Sequence, residues 1–145
     1  MKKQIMAIAA LIGLLAMGTA HAELKDNNDG TITDTLQGLV WLKNASCFTA
    51  QNWSDATNNA NSLSTGACGL SDKSSATNWR LPNVNELKTR MLDKTKFTNI
   101  VSDYYWSSTI DSTKRNAMYC VYTNGISNGL PIDSVHYVWP VRSIK

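Results

Sequence analysis

Basic side chains in the second half of the chain are the residues best placed to do chemistry, and that chemistry is ion pairing with a polyanion. Arg90, Lys94 and Lys96 fall close together, and Lys114 and Arg115 follow in a polar stretch over residues 111–116. Arg90 and Lys94 are four apart and share a face if a helix continues that far. The charge is divided accordingly: residues 23–78 hold three lysines against six carboxylates, whereas residues 79–145 hold nine basic residues against five acidic ones. That asymmetry supports a modest anion-binding face, with a merely solvated surface as the plainer alternative.

Signatures of catalysis are thin. Beyond residue 22 the chain has one histidine, His136, in an apparent strand, and two glutamates, Glu23 and Glu86. A hydrolytic triad needs a Ser-His-Asp context, a carboxylate-pair hydrolase needs two placed acids, and a metal site needs clustered ligands. None of these patterns is present, so neither an enzyme nor a cofactor or metal is expected. The run Asp26-Asn27-Asn28-Asp29-Gly30-Thr31 resembles a calcium loop only superficially. With Gly30 at its sixth position, the first and twelfth positions are Lys25 and Leu36, where Asp and Glu are required. Asp29-Gly30 between β-formers is read instead as a tight hairpin turn.

The amino terminus reads as a secretory signal. Lys2 and Lys3 precede an apolar run from Ile5 to Met17, and Ala20-His21-Ala22 offers a small-x-small cleavage site. The run falls short of the ~20 residues that a membrane span needs. Cleavage after Ala22 leaves residues 23–145 as one domain, with no transmembrane segment, in a secreted, periplasmic or cell-envelope location. It also lowers the formal net charge from +3 to +1, because Lys2 and Lys3 leave with the leader. In such a compartment Cys47 and Cys68 should be oxidised to each other. Cys120 is then left over, as a buried free thiol or as one half of an intermolecular disulfide.

The elements that would position these groups can be read locally. A second turn at Gln37-Gly38 leads into a strand over residues 39–42, and apolar Trp53, Ala56, Ala60 and Leu63 give residues 52–63 one helical face. Its many asparagines are poor helix formers, so burial of Trp53 is expected to supply much of that helix's stability. Around Trp79-Arg80-Leu81-Pro82-Asn83 the chain passes from strand to helix. Pro82 favours extended geometry at Leu81, Asn83 can cap the helix, and Glu86 can complete a capping box. Val84, Leu87 and Met91 supply its buried face, while Trp79 and Leu81 point opposite to Arg80. Further strands are expected over residues 104–109, over 117–123 ahead of an Asn124-Gly125 turn, and over 137–144. Pro140 places the last at a sheet edge or a bulge. The five tryptophans, 41, 53, 79, 106 and 139, are expected to staple these elements into one core. Arg80 and Arg142, set in apolar motifs, should make internal charge-assisted hydrogen bonds.

Several blocks together resemble one family. They are Asp29-Gly30-Thr31-Ile32-Thr33-Asp34, Gly38-Leu39-Val40-Trp41, Cys68-Gly69-Leu70-Ser71-Asp72, Trp79-Arg80-Leu81-Pro82-Asn83 with Glu86-Leu87, Tyr105-Trp106-Ser107-Ser108-Thr109, and Val138-Trp139-Pro140-Val141-Arg142. Their order and spacing, over about residues 25–142, are similar to the Lcl carboxy-terminal domain family, named for the terminal domain of the Legionella collagen-like adhesin. The resemblance implies a compact α+β domain of C-type-lectin-like type, related to formylglycine-generating-type domains, with two helices packed on mixed and antiparallel strands. It also implies a non-catalytic binding or adhesion role. The partner would be an anionic polysaccharide or an envelope or host protein rather than nucleic acid, with homo-oligomers as a further implication. The lectin calcium motif is absent, since Leu81 stands where a ligand would. The rival function is a structural or assembly subunit of a cell-envelope complex, linked through Cys120.

Overall fold

Turn chemistry and alternation divide the chain into nine elements. The computed structural model describes residues 23–145; the expected leader and its cleavage site lie outside them. In order, the elements are β1 (Leu24–Asp26), β2 (Thr31–Asp34), β3 (Leu39–Leu42), α1 (Trp53–Ser62), α2 (Val84–Leu92), β4 (Tyr104–Ile110), β5 (Ala117–Tyr122), β6 (Ser127–Pro131) and β7 (Val141–Ser143). One sheet has the order β1-β2-β3-β7 and the other β4-β5-β6. All pairings within the two sheets are antiparallel. Parallel contacts are confined to the isolated bridges Asn44–Thr98 and Tyr105–Tyr137. The α+β expectation holds, with two helices, two antiparallel sheets and one disulfide.

Both early turns form as their residues dictate. Asp29 accepts from the Thr31 N–H and hydroxyl, and Asp34 accepts from the N–H groups of Leu36 and Gln37. These are the side-chain-to-backbone bonds that favour Asp in turns. Helix α2 carries the expected capping box: Asn83 accepts from the Glu86 N–H at 2.8 Å, and the Glu86 carboxylate accepts from the Asn83 N–H at 2.7 Å. Helix α1 is capped as well, by Asn52, whose side chain accepts from the Asp55 N–H at 2.9 Å.

The second sheet is buried on both faces. Tyr105 and Val121 join Leu87 and Met91 of α2 in one cluster, while their neighbours Trp106 and Cys120 join Ala56 and Ala60 of α1 in another. Alternate residues of a strand face opposite ways, so the two helices cover opposite faces. The tryptophans divide in the same way, a correction to the single core expected of them. Trp41, Trp79 and Trp139 belong to the first cluster, Trp106 to the second, and Trp53 packs against the second only partly buried. The fully buried contacts of α1 therefore come from Ala56 and Ala60, not from Trp53. The indole N–H groups of Trp53, Trp79, Trp106 and Trp139 reach Ser107 O, Ser74 Oγ, Gln51 O and Leu42 O at 2.7–3.0 Å. Buried indoles need such partners. Trp41 Nε1 meets none.

The carboxy-terminal segment also departs from expectation. It is not one strand. Tyr137 bridges β4 in the second sheet, and after Pro140 the chain pairs as β7 with β3 in the first. Pro140 has no N–H to place in a ladder, and its carbonyl accepts from the Leu42 N–H at 3.1 Å. Arg80 then bridges Val141 on the free side of β7, so the strand-to-helix junction closes the first sheet.

Candidate functional site

The five basic residues do not converge. Arg90 is buried, with its side chain 1% exposed, and its guanidinium donates to Asp34 Oδ2 at 2.7 Å and to the Asp93 carbonyl at 3.0 Å. Helix α2 turns inward here, and an arginine facing the core can remain only with a carboxylate partner. Arg90 is thus a core residue, which corrects its assignment to a polyanion face. The helix ends at Leu92, so Lys94 shares no helical face with it; its ammonium is held by the carbonyls of Met91 and Thr123. Lys114 donates to the Gly129 carbonyl at 2.9 Å beside β6, with Arg115 exposed next to it. Lys114 lines an apolar pocket with Trp53, Ile110 and Met118, whereas Lys96 lines no pocket and only adds its charge to Asp26, at the rim of a polar concave surface.

That surface is an open cleft of about 580 Å³ lined by Asn28, Gly30, Lys43, Asn44, Cys68, Gly69 and Thr98. Four segments far apart in sequence supply it. The β1–β2 turn brings Asn28 and Gly30, and the end of β3 brings Lys43 and Asn44. The stretch after α2 brings Thr98, through its bridge to Asn44. Cys68 and Gly69 are the central residues of a turn closed by Leu70 N–H to Ala67 O at 2.9 Å, with φ of +53° and +77°. Two left-handed central residues mark the type I′ form. Among the described residues, the N–H groups of Gly30, Cys68 and Gly69 meet no acceptor.

The hairpin and the disulfide turn press together directly. A side-chain carbon at Gly30, whose φ is +87°, would fall 2.4 Å from the Gly69 carbonyl oxygen. One hydrogen bond, Ser71 N–H to Asp29 O at 2.9 Å, ties the two loops side by side. At the rim Lys43 pairs with Asp26. The Lys43 ammonium first, and then the Asn28 N–H, hold the Asp26 carboxyl below its ordinary value despite its desolvation, and Lys96 adds to that field. The Lys43 ammonium, two asparagine amides and free backbone N–H donors therefore border one cleft, with Lys96 adding its field at Asp26. The arrangement can hold acceptor-rich or anionic groups by hydrogen bonds. Among the described residues no group of His, Cys, Asp and Glu could hold a metal ion.

The remaining singled-out residues are structural. Arg80 meets Glu86 through two bonds of 2.9 Å, and Arg142 donates to Asp72 at 3.1 Å and lies 5.3 Å from the Trp79 ring centre. Both internal roles expected for these arginines are present. For Glu86, burial alone would raise its pKa; the Arg80 fork and the Asn83 N–H outweigh it and hold it below the ordinary 4.5. A depressed carboxylate stabilises the fold above its unfolded pKa, and that contribution disappears as pH falls through the folded pKa. Urea midpoints of the wild type should therefore drop below about pH 4.5, and Glu86→Gln, which keeps an acceptor for the Asn83 N–H, should flatten part of that fall while costing less than about 1 kcal/mol at neutral pH. The Arg80 side chain is 42% exposed, so its ion pair adds little.

Cys47 and Cys68 form the expected disulfide, with Cα atoms 5.6 Å apart. Cys120 is a free thiol with no exposed surface, and burial pushes its pKa well up. A thiol reagent should leave native protein unmodified and label one cysteine on unfolding. Labelling of the native protein at the rate of a free thiol would contradict this burial.

Two antiparallel sheets, two capped helices, one disulfide and a polar cleft define an α+β domain built to present loops from a rigid frame. The chain belongs to the family described as the Lcl C-terminal domain, whose model matches residues 30–142. That membership suggests an adhesin-related domain. No curated protein matches the chain. Sequence reasoning missed the cleft because only Lys96 among its neighbours had been singled out by charge. The signals available are Gly30, expected above only as part of a hairpin turn, and Cys68, expected only as half of a disulfide.

Proposed function

We propose that the protein is a non-catalytic, extracytoplasmic binding domain of adhesin type, whose ligand is an anionic glycan seated in the cleft at Lys43, within the field of Lys96. The observation that carries this reading is the cleft itself: it offers an ammonium group, amides and backbone N–H donors, and no reactive side chain. Export through the expected leader would agree with the disulfide, which persists in oxidising compartments. Among the described residues no helix is long and apolar enough to cross a membrane. The lectin-like character of the scaffold belongs to this proposal too, in a form without the calcium site.

The one histidine among the described residues supports a non-catalytic role. Ser134 Oγ lies 2.9 Å from His136 Nε2, but the hydroxyl donates to the Pro131 carbonyl. The imidazole must then donate to the serine from Nε2, the reverse of what a base activating a nucleophile requires. Its Nδ1 is buried without a partner among the described residues, so no carboxylate or carbonyl sets the tautomer that a general base needs. The rival assembly role through Cys120 finds no support, because that thiol has no exposed surface.

Heparin titrations across a salt series test the reading. Binding should weaken steeply and be lost by about 0.3 M salt. Lys43→Ala with Lys96→Ala should reduce affinity about tenfold, whereas Lys114→Ala with Arg115→Ala should change it less than about twofold. Equal losses from both pairs would replace the cleft with a diffuse charged surface, and no binding at low salt would end the glycan reading.

A further inference from the structure

The disulfide joins the two walls of the cleft. On one side the chain runs from Lys43 and Asn44, which line the cleft, to Cys47 three residues later; on the other, Cys68 itself lines it. Asn44 is fixed from behind: Ala45 N–H donates to Thr98 O and Thr98 N–H to Lys43 O, both at 3.0 Å. The opposite wall is held differently. Most hydrogen bonds of residues 64–70 are internal to that segment, Ala67 N–H to Ser64 O, Gly66 N–H to Leu70 O and Leu70 N–H to Ala67 O, and one, Thr65 N–H to Ser74 O at 3.0 Å, ties its start to the stretch before Trp79. Cys68 is a non-glycine residue in a left-handed conformation, which is retained only where surrounding structure enforces it. Beyond the bridge, the attachments beside it are Ser71 N–H to Asp29 O, the press of Gly30 against the Gly69 carbonyl and the burial of Leu70 in the first cluster. Both cysteines are only partly buried at the edge of the core.

We propose that this bridge is a redox strap on the binding site: reduction releases the Cys68-Gly69 wall and switches ligand binding off while the two sheets and helices stay folded. The inference rests on the cleft being the binding site. The step is a thiol–disulfide exchange with a dithiol reductant. One reductant thiolate attacks a sulfur of the Cys47–Cys68 bond to form a mixed disulfide, and the second displaces the protein sulfur. The reductant is oxidised to its own disulfide, and its two electrons and two protons pass to the protein sulfurs, which become two thiols. Cys120 takes no part, since it is buried in the other cluster.

The test compares purified protein, oxidised and after treatment with dithiothreitol, and the Cys47→Ser/Cys68→Ser variant. Heparin affinity is measured together with backbone hydrogen exchange. Reduction should weaken binding at least tenfold and speed exchange at the hydrogen-bonded amides of Gly66, Leu70 and Ser71 at least tenfold. Amides of β3, β4 and β5 should keep their protection, and reoxidation should restore binding. Unchanged affinity on reduction overturns the proposal. Loss of protection throughout the sheets also overturns it, since the bridge would then be a staple for the whole fold. If heparin binds in neither state, the glycan reading fails, and the strap is judged by exchange alone: faster exchange confined to the cleft sustains it, and unchanged exchange overturns it.

Discussion

Arg90→Ala should destabilise the protein by about 3–5 kcal/mol, seen as a large fall in the urea midpoint with little change in slope. Truncation leaves the Asp34 carboxylate, itself without exposed surface, with no cation opposite it. Asp34 cannot move towards water, because its other oxygen holds the turn at Leu36 and Gln37. The guanidinium also sits 5.4 Å from the Phe97 ring centre and donates to the last turn of α2, so packing is lost along with charge. A paired change separates these contributions. Arg90→Met with Asp34→Asn removes both charges and keeps an acceptor for the turn, so it should recover most of the loss. A cost below about 1 kcal/mol for Arg90→Ala would mean that the pair reaches water and that Arg90 could meet a ligand after all.

Gly30→Ala should cost about 2–5 kcal/mol and abolish ligand binding in the same variant. The left-handed conformation accounts for about 1–2 kcal/mol of this. The remainder is overlap: the new methyl carbon would lie 2.4 Å from Gly69 O and 2.9 Å from its carbonyl carbon. Both atoms are backbone, in a turn held by the disulfide, so the loops must separate to admit it. Gly38→Ala is the control. Its φ is +66° but nothing lies within 4 Å of the added carbon, so only the conformational cost of about 1–2 kcal/mol applies and binding should survive. Similar effects at the two glycines would show that contact between hairpin and disulfide turn contributes nothing.

These two sites mark the boundary of what could be read from the chain. Features governed by near neighbours were legible. The Asp29-Gly30 and Gln37-Gly38 turns, the Asn83–Glu86 box and the Cys47–Cys68 bridge each follow from residue type and short spacing, or from compartment. The Lcl family could be named from the order of the motifs. The role of Arg90 could not be read this way, because its partner is 56 residues away and spacing alone made it one of a basic group. Alternation suggested one strand over residues 137–144, yet the chain crosses from one sheet to the other within it, because both ladders offer pairing and Pro140 interrupts either. The cleft is the clearest case. Its lining comes from four segments, each of which is an ordinary turn or strand end by itself.

The sequence by itself determined the local elements, the disulfide and the family, because capping, turn geometry and alternation act over a few residues and are written in residue type. Only the tertiary structure decided which charges face water and which polar groups converge. Burial and convergence depend on segments brought together across the whole chain, where one buried carboxylate turns a surface arginine into a core residue and one glycine contact turns two loops into a cleft.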